Sequence, residues 1–443
     1  MRVPSSTFLG LLLLSTACAK EPSRPDVVIV TLDAVRADVT PGFGGDPKLA
    51  PNLAHWIQTG TRFDRAYTVA PLTLPAHSTL LSGLYPVRHG ARRHGVGAHM
   101  ARPLGFVAAA RAAGWVTGAF PSSKVIAAAN NSLPDFDFVD MKWSGIERQA
   151  DKTVVQAARW LHRQPRDTPV LLWAHLFEAH APYTPTHPWW RRCPPDLREE
   201  ALAWGRRTPS GCPDPNRPGS IPSAELLPCV RELYESQLKD LDGAVAALFK
   251  VMAGRGRFVW AIAADHGECL GEEGYVAQHG GILLECAVHI PLALGGAAAF
   301  KPGVVRSDLV SLVDLAPTLA SLLGWSLDVV DGIDLARRQR SAEEAIGFEA
   351  AGVNVTGCTE SSLGVWRGSE KIVYYPATDK TRAWRRAGQG SVEIDPAALS
   401  EEGRTLAREL RYEPPLAPPQ GRHEQPVVAD PAAEALKALG YVE

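Results

Sequence analysis

Carboxylates and imidazoles recur in this chain where predicted strands end. Asp33 closes the run 26–33 (DVVIVTLD), and Asp265 and His266 follow the run 258–264 (FVWAIAA). His175, Glu178 and His180 lie at or just past the end of the run 170–176 (VLLWAHL). These groups ligate metals, move protons and hydrogen-bond anions. A lone aspartate after a strand caps the next helix more often than it binds a metal. Several strand ends carrying such groups together point to one shared rim, because ligands of α/β sheets sit outside the carboxyl ends of the strands.

The elements that must position these groups are legible as patterns. The three runs, together with 290–294, are short, apolar and β-branched, which reads as buried strand. Between them lie helical periodicities. The clearest is the stripe Val230, Leu233, Leu238, Leu241, Val245, Leu248 and Met252, with Gly254 as a stop; residues 309–323 form another. Buried strands alternating with amphipathic helices predict an α/β sandwich with a large, mostly parallel central sheet flanked by helices. The character changes after Ala350. Residues 26–350 read as one large domain with a Cys- and Pro-rich insertion at 187–228. Residues 351–443 read as a small C-terminal α+β subdomain with a hairpin at 363–375.

Composition narrows the function classes. Of 443 residues, 45% are hydrophobic and 21% charged, with a formal net charge of −2. That balance excludes a largely disordered chain and gives no electrostatic reason to expect nucleic acid as partner. Arg2 precedes an apolar run at 8–14 that is too short to span a bilayer, which takes about 20 residues. It fits an export signal. The following Ser15-Thr16-Ala17-Cys18 resembles a bacterial lipobox, with Ser15 where leucine is usual, and this predicts lipid on Cys18 and a place on the periplasmic or cell-envelope face. The alternative is ordinary cleavage of the signal. The membrane then enters only through that anchor. Setting Cys18 aside leaves Cys193, Cys212, Cys229, Cys269, Cys286 and Cys358, an even set in an oxidising compartment, so at least one bridge is expected to pin the insertion. Trp189, Trp190 and Trp204 in this region read as packing ahead of ring stacking on a substrate.

Several ordered segments carry a family resemblance: 31–38 (TLDAVRAD), 50–53 (APNL), 70–90 (APLTLPAHSTLLSGLYPVRHG), 180–183 (HAPY), 265–279 (DHGECLGEEGYVAQH) and 313–318 (VDLAPT). Together they resemble the sulfatase family of the alkaline phosphatase superfamily. The resemblance implies an alkaline-phosphatase-like sandwich, with metal ligands at Asp33, Asp265 and His266 and a nucleophile at Thr73. Common sulfatases have a cysteine there, inside C-x-P-S-R, that is oxidised to formylglycine. This chain has Thr73-Leu74-Pro75-Ala76-His77, and no cysteine stands in such a motif. His77 occupies the arginine position, as a substrate contact or a support for the turn. The segment that ends in Gly-Lys in common sulfatases reads Pro121-Ser122 here, so the active-site lysine is missing.

These departures shift the expected chemistry. A hydroxyl is a weak nucleophile near neutral pH unless a base or metal favours its alkoxide. A divalent ion on Asp33, Asp265 and His266 would do so. Ala34 replaces a second aspartate and an imidazole joins the set, which favours zinc or manganese over calcium. Glu178, His180 and His279 lie in segments resembling those that supply a second ion or oxyanion contacts: Glu178 and His279 are expected as ligands, His180 as a substrate contact. The expected reaction is hydrolysis of a phosphate, phosphonate or sulfate ester through a covalent Thr73 intermediate, on a small-molecule or glycan- or lipid-linked substrate. Two alternatives stand beside it: transfer of a phosphoryl head group from the same site, and a non-catalytic binding protein on a degenerate scaffold.

Overall fold

The computed structural model describes residues 24–92, 105–126, 133, 135–145, 147–206, 221–350, 361–388 and 390–412. In chain order the large sheet uses β1 (Asp26–Leu32), β2 (Gly60–Phe63), β3 (Val116–Pro121) and β4 (Phe138–Val139). It continues with β5 (Val170–Leu176), β6 (Phe258–Ala264), β7 (Leu292–Gly295) and β8 (Val304–Arg306). Their spatial order is β8-β2-β7-β6-β1-β5-β3-β4. Only β7 runs against its neighbours; the other pairings are parallel. The near-continuous apolar character of β1, β5 and β6 follows from this, because central parallel strands are covered on both faces. β1 and β5 are buried from end to end.

Helices α1 (Pro51–Gln58), α2 (Thr73–Ser82), α3 (Gly105–Ala112), α4 (Ala150–Arg163), α5 (Leu227–Arg255) and α6 (Leu315–Leu323) pack around the sheet. One group joins α1, α4 and α5; a second joins α2, α3 and α6. The stripe read from the sequence is the buried side of α5, from Val230 to Met252. A disulfide between Cys193 and Cys229 fastens the insertion to the first turn of α5. Trp204 is buried there, and Trp189 donates its indole N–H to Glu235 at 3.1 Å, so both rings are used in packing. Cys18, Cys212 and Cys358 lie outside the described residues.

The small sheet is an antiparallel meander of β9 (Ala345–Ala350), β10 (Ser362–Arg367), β11 (Glu370–Tyr375), β12 (Lys380–Ala387) and β13 (Gly390–Ile394). It therefore starts slightly ahead of position 351. Helix α7 (Glu401–Tyr412) lies against β11. One apolar cluster unites Leu283 and Val288 of the large domain with Phe348, Trp366 and Val373, so the two sheets share a core. Among the described residues no helix is long and apolar enough to cross a membrane.

Candidate active site

Strand register decides which groups meet. Leu32 of β1 is level with Ala264 of β6 on one side and Leu176 of β5 on the other, so the residues that follow emerge on one rim. Asp33 prolongs the ladder by donating its N–H to the Leu176 carbonyl at 2.8 Å. Ala34 then adopts φ 57°, in the left-handed region, at a cost of about 1 kcal/mol. The turn is held because the Ala34 N–H donates to Asp265 Oδ1 at 3.2 Å and the Tyr234 hydroxyl donates to the Ala34 carbonyl at 2.9 Å.

Asp33, Asp265 and His266 are completely buried, and one ligand atom from each falls within 4.8 Å of the others. His266 Nε2 lies 3.6 Å from Asp33 Oδ1 and 3.5 Å from Asp265 Oδ2. Neither Asp33 oxygen nor Asp265 Oδ2 has a hydrogen-bond partner. Burial pushes both carboxyls up from their ordinary values, and the neighbouring Asp33 charge adds to the rise at Asp265. Burial opposes the charge of His266, but the Asp265 and Asp33 carboxylates outweigh it and push the imidazole up. Two adjacent buried carboxylates are unfavourable unless positive charge answers both. Hard oxygens beside one imidazole therefore fit a divalent metal ion. The tautomer agrees. His266 donates Nδ1–H to the Gly267 carbonyl at 3.0 Å, which leaves the lone pair on Nε2 among the carboxylates.

Thr73 is the first residue of α2, a helix whose ten residues are all buried. Its Oγ1 lies 3.4 Å from His266 Nε2. The amides of a first helical turn lack intrahelical partners and carry the positive end of the dipole, which favours an anion at this spot. His77, one turn later, donates Nδ1–H to the Thr73 carbonyl at 2.7 Å and accepts the Thr31 hydroxyl on Nε2 at 2.9 Å. Burial and the nearby His175 press its pKa down to about 3, so it is neutral. Both ring nitrogens are occupied, and His77 holds the turn that carries Thr73. His175, buried within β5, lies 3.2 Å from Asp33 Oδ2 and 3.3 Å from the Thr31 hydroxyl.

The remaining expected residues divide. His279 stacks on His266 with ring centroids 4.1 Å apart, and His180 meets the edge of His279 at 5.0 Å. Glu178 does not join them. One of its oxygens accepts the Ala150 N–H at the start of α4. The place beside His279 belongs to Glu268, a residue the sequence reading passed over although it completes the segment Asp265-His266-Gly267-Glu268. His279 donates Nδ1–H to Glu268 Oε1 at 3.0 Å. Burial raises Glu268 to about 7 against the pull of His180 and His266. A disulfide from Cys269 to Cys286 closes the loop that carries His279, so the pair is fastened from both sides. Glu178, His180 and His279 do not converge into a second ligand set among the described residues. Ser122, at the position without the lysine, bonds to Thr153 at 2.7 Å, and Lys124 donates to the Trp143 carbonyl. Arg36 is held by Asp38 and Glu272 and does not face the rim as a free cation.

Fold and rim together define an α/β protein of the alkaline-phosphatase-like architecture. The chain belongs to the sulfatase family, whose profile matches residues 25–325. Among solved structures, the phosphonate monoester hydrolase from Silicibacter pomeroyi matches with a TM-score of 0.67 at 16% identity, over 87% of this chain and 95% of that one. A protein solved in complex with its substrate D-glucosamine-2-N,6-O-disulfate matches with a TM-score of 0.64 at 16% identity, over 82% and 91%. At these identities the likeness concerns the fold. In sequence, the ulvan-active sulfatase of Formosa agariphila is 32% identical over 71 residues, a stretch that makes up 16% of this chain and 14% of that protein.

Proposed function

We propose that the protein is a metal-dependent ester hydrolase that cleaves a sulfate, phosphonate or phosphate ester with Thr73 as nucleophile. The observation that carries this reading is the Thr73 hydroxyl at a buried helix N-terminus, 3.4 Å from His266 and beside carboxylate oxygens that have no partner. Asp33, Asp265 and His266 would hold the ion; zinc or manganese suits this donor set better than calcium. When bound, the ion lowers the pKa of a neighbouring hydroxyl and offsets charge on the ester oxygens.

The protein groups supply the rest. Thr73 Oγ gives up its proton and bonds to phosphorus or sulfur, while the bond from that atom to the leaving oxygen breaks and the leaving oxygen takes up a proton. Water then attacks the same phosphorus or sulfur, the bond to Thr73 Oγ breaks, and Thr73 recovers its proton. His77 fixes the turn that aims Thr73. His279, oriented by Glu268 and with its lone pair on Nε2, accepts the proton of the attacking water. Burial and His266 hold its pKa well below the ordinary value, so the ring is neutral and its Nε2 lone pair is open. His180 donates Nδ1–H to the Ala181 carbonyl, and we assign its ring to the substrate side. The same reading takes the protein to be exported and held at the cell envelope by lipid on Cys18. The two disulfides suit that compartment.

Turnover of aryl sulfates, phosphate mono- and diesters and phosphonate monoesters, measured after metal exchange, tests the proposal. Thr73→Ala abolishes turnover, and wild-type protein stopped during turnover shows an esterified Thr73 peptide by mass spectrometry. Full activity in Thr73→Ala overturns the nucleophile.

A further inference from the structure

Next to the rim lies an open cavity of about 550 Å³, well within the range of small-molecule sites. Its charged lining is Glu147, Asp151, Glu178 and Asp240, with Arg148 and His180. The acids are not answered by that arginine. Arg148 is 9% exposed and already engaged by Asp140 at 2.6 Å, by the Thr153 hydroxyl and by the Pro121 carbonyl. Asp240 accepts the amides of Thr186 and His187, and Asp151 stands on the exposed mouth.

Glu147 and Glu178 differ from these two. Glu178, half-buried in the cavity wall, gives one oxygen to the Ala150 amide, and its Oε2 has no hydrogen-bond partner. Among the described residues the Glu147 carboxyl meets no cation, and burial, with the Asp33 charge adding to it, raises it to about 7. Burial raises Glu178 likewise to about 7. A cavity walled by unanswered carboxylates is a poor place for a second anion.

The cavity is continuous with the chemistry. His180 lines it and also meets His279 edge-on. The apolar ring of Phe177, stacked on His180 at 4.5 Å, forms part of the same wall. The acids are too dispersed to share a bare ion: the sets of ligand atoms that converge within 4.8 Å among the described residues are Asp33–Asp265–His266 and Cys269–Glu272–Cys286, and neither includes a cavity acid. Dispersed carboxylates beside an aromatic wall suit an organic cation, whose charge is spread over a larger group.

We infer that this cavity receives the leaving group, and that the alcohol or phenol half of the substrate carries an ammonium group held by Glu147 and Glu178. The inference rests on the ester hydrolysis proposed above and names the substrate class for it.

The test compares 4-(aminomethyl)phenyl with 4-(hydroxymethyl)phenyl esters of sulfate, phosphate and methylphosphonate on the metal-loaded full chain. The ammonium ester is expected to have a kcat/KM roughly two- to fivefold higher, the factor that one partly exposed ion pair supplies. In Glu147→Gln and Glu178→Gln the ratio of the two esters falls toward one, and because it is read within each variant it is independent of how much protein folds. Equal kcat/KM for the two esters in the wild type, or an undiminished ratio in both variants, overturns the inference while leaving ester hydrolysis intact. Absence of turnover of every ester overturns the hydrolysis instead. Calorimetric binding of 4-(aminomethyl)phenol against 4-(hydroxymethyl)phenol then still decides the cavity: tighter binding of the amine, weakened by Glu147→Gln, supports it, and equal binding overturns it.

Discussion

Buried charge is treated in opposite ways in two regions of this molecule. Where the sheets meet, Lys371 is 1% exposed, yet its ammonium donates to Glu285 at 2.8 Å and lies over the rings of Trp384 and Phe348. Asp314, completely buried, accepts the amides of Ser311 and Ile333 and both contacts of one Arg340 nitrogen, at 2.7 and 2.9 Å. On the catalytic rim the carboxylates of Asp33 and Asp265 are buried just as deeply but keep three oxygens without partners. Satisfied buried charge holds the fold together; unsatisfied buried charge is tolerated where a ligand or an ion from outside completes it.

The sharpest way to break this contrast is to exchange the expected losses. Thr73→Ala should lower kcat/KM by at least about 10³-fold, with thermal melting close to that of the wild type. Equal losses of activity and stability would erase the distinction between the regions. Asp314→Ala should do the reverse, costing about 3–5 kcal/mol by leaving Arg340 buried and unpaired, as read by denaturant unfolding. Its companion is Asp33→Asn, which removes one of two repelling carboxylates: stability of the metal-free variant should be unchanged or raised, while activity of the metal-loaded variant disappears.

A smaller effect separates the pair that orients His279. Glu268→Gln should lower kcat by about 10–100-fold, because His279 loses the carboxylate that orients its ring, with KM little altered and with part of the rate recovered in Glu268→Asp. The smallest effect is in the pH profile. Glu147 and Glu178 stand at about 7 in the folded protein against 4.5 ordinarily. Their folded forms retain protons that the unfolded chain has released, so their contribution is full below 4.5 and falls as pH rises toward 7. Melting followed across this window should show the decline, and Glu147→Gln should flatten it. A melting temperature that rises through the same window would reverse the assignment.

Much of the fold was legible because short, β-branched apolar runs without a polar face read as central strands, as β1, β5 and β6 are. The α5 stripe was equally plain from its spacing. The place of Asp33, Asp265 and His266 on one rim was readable for the same reason, since each follows directly on such a strand; their reading as metal ligands came from the sulfatase resemblance. Glu178 and Glu268 were not separable by sequence. Both lie a few residues beyond a strand end, and only the path of the following loop brings one to His279 and turns the other toward the start of α4. The sequence position of His77 allowed a substrate contact or a support; the hydrogen bonds on both of its nitrogens decide for support of the Thr73 turn.

By itself, then, the sequence determined the sheet-forming segments, the sulfatase-family motifs and the absence of a cysteine from the nucleophile position. These are local properties, set by residue type and spacing along the chain. Tertiary structure alone decided that β6, β1 and β5 lie side by side, that three carboxylate oxygens of the rim stay unpaired, and that Glu147 and Glu178 line one cavity. Such facts depend on register and loop path, because electrostatic energy follows distance in space and not separation in sequence.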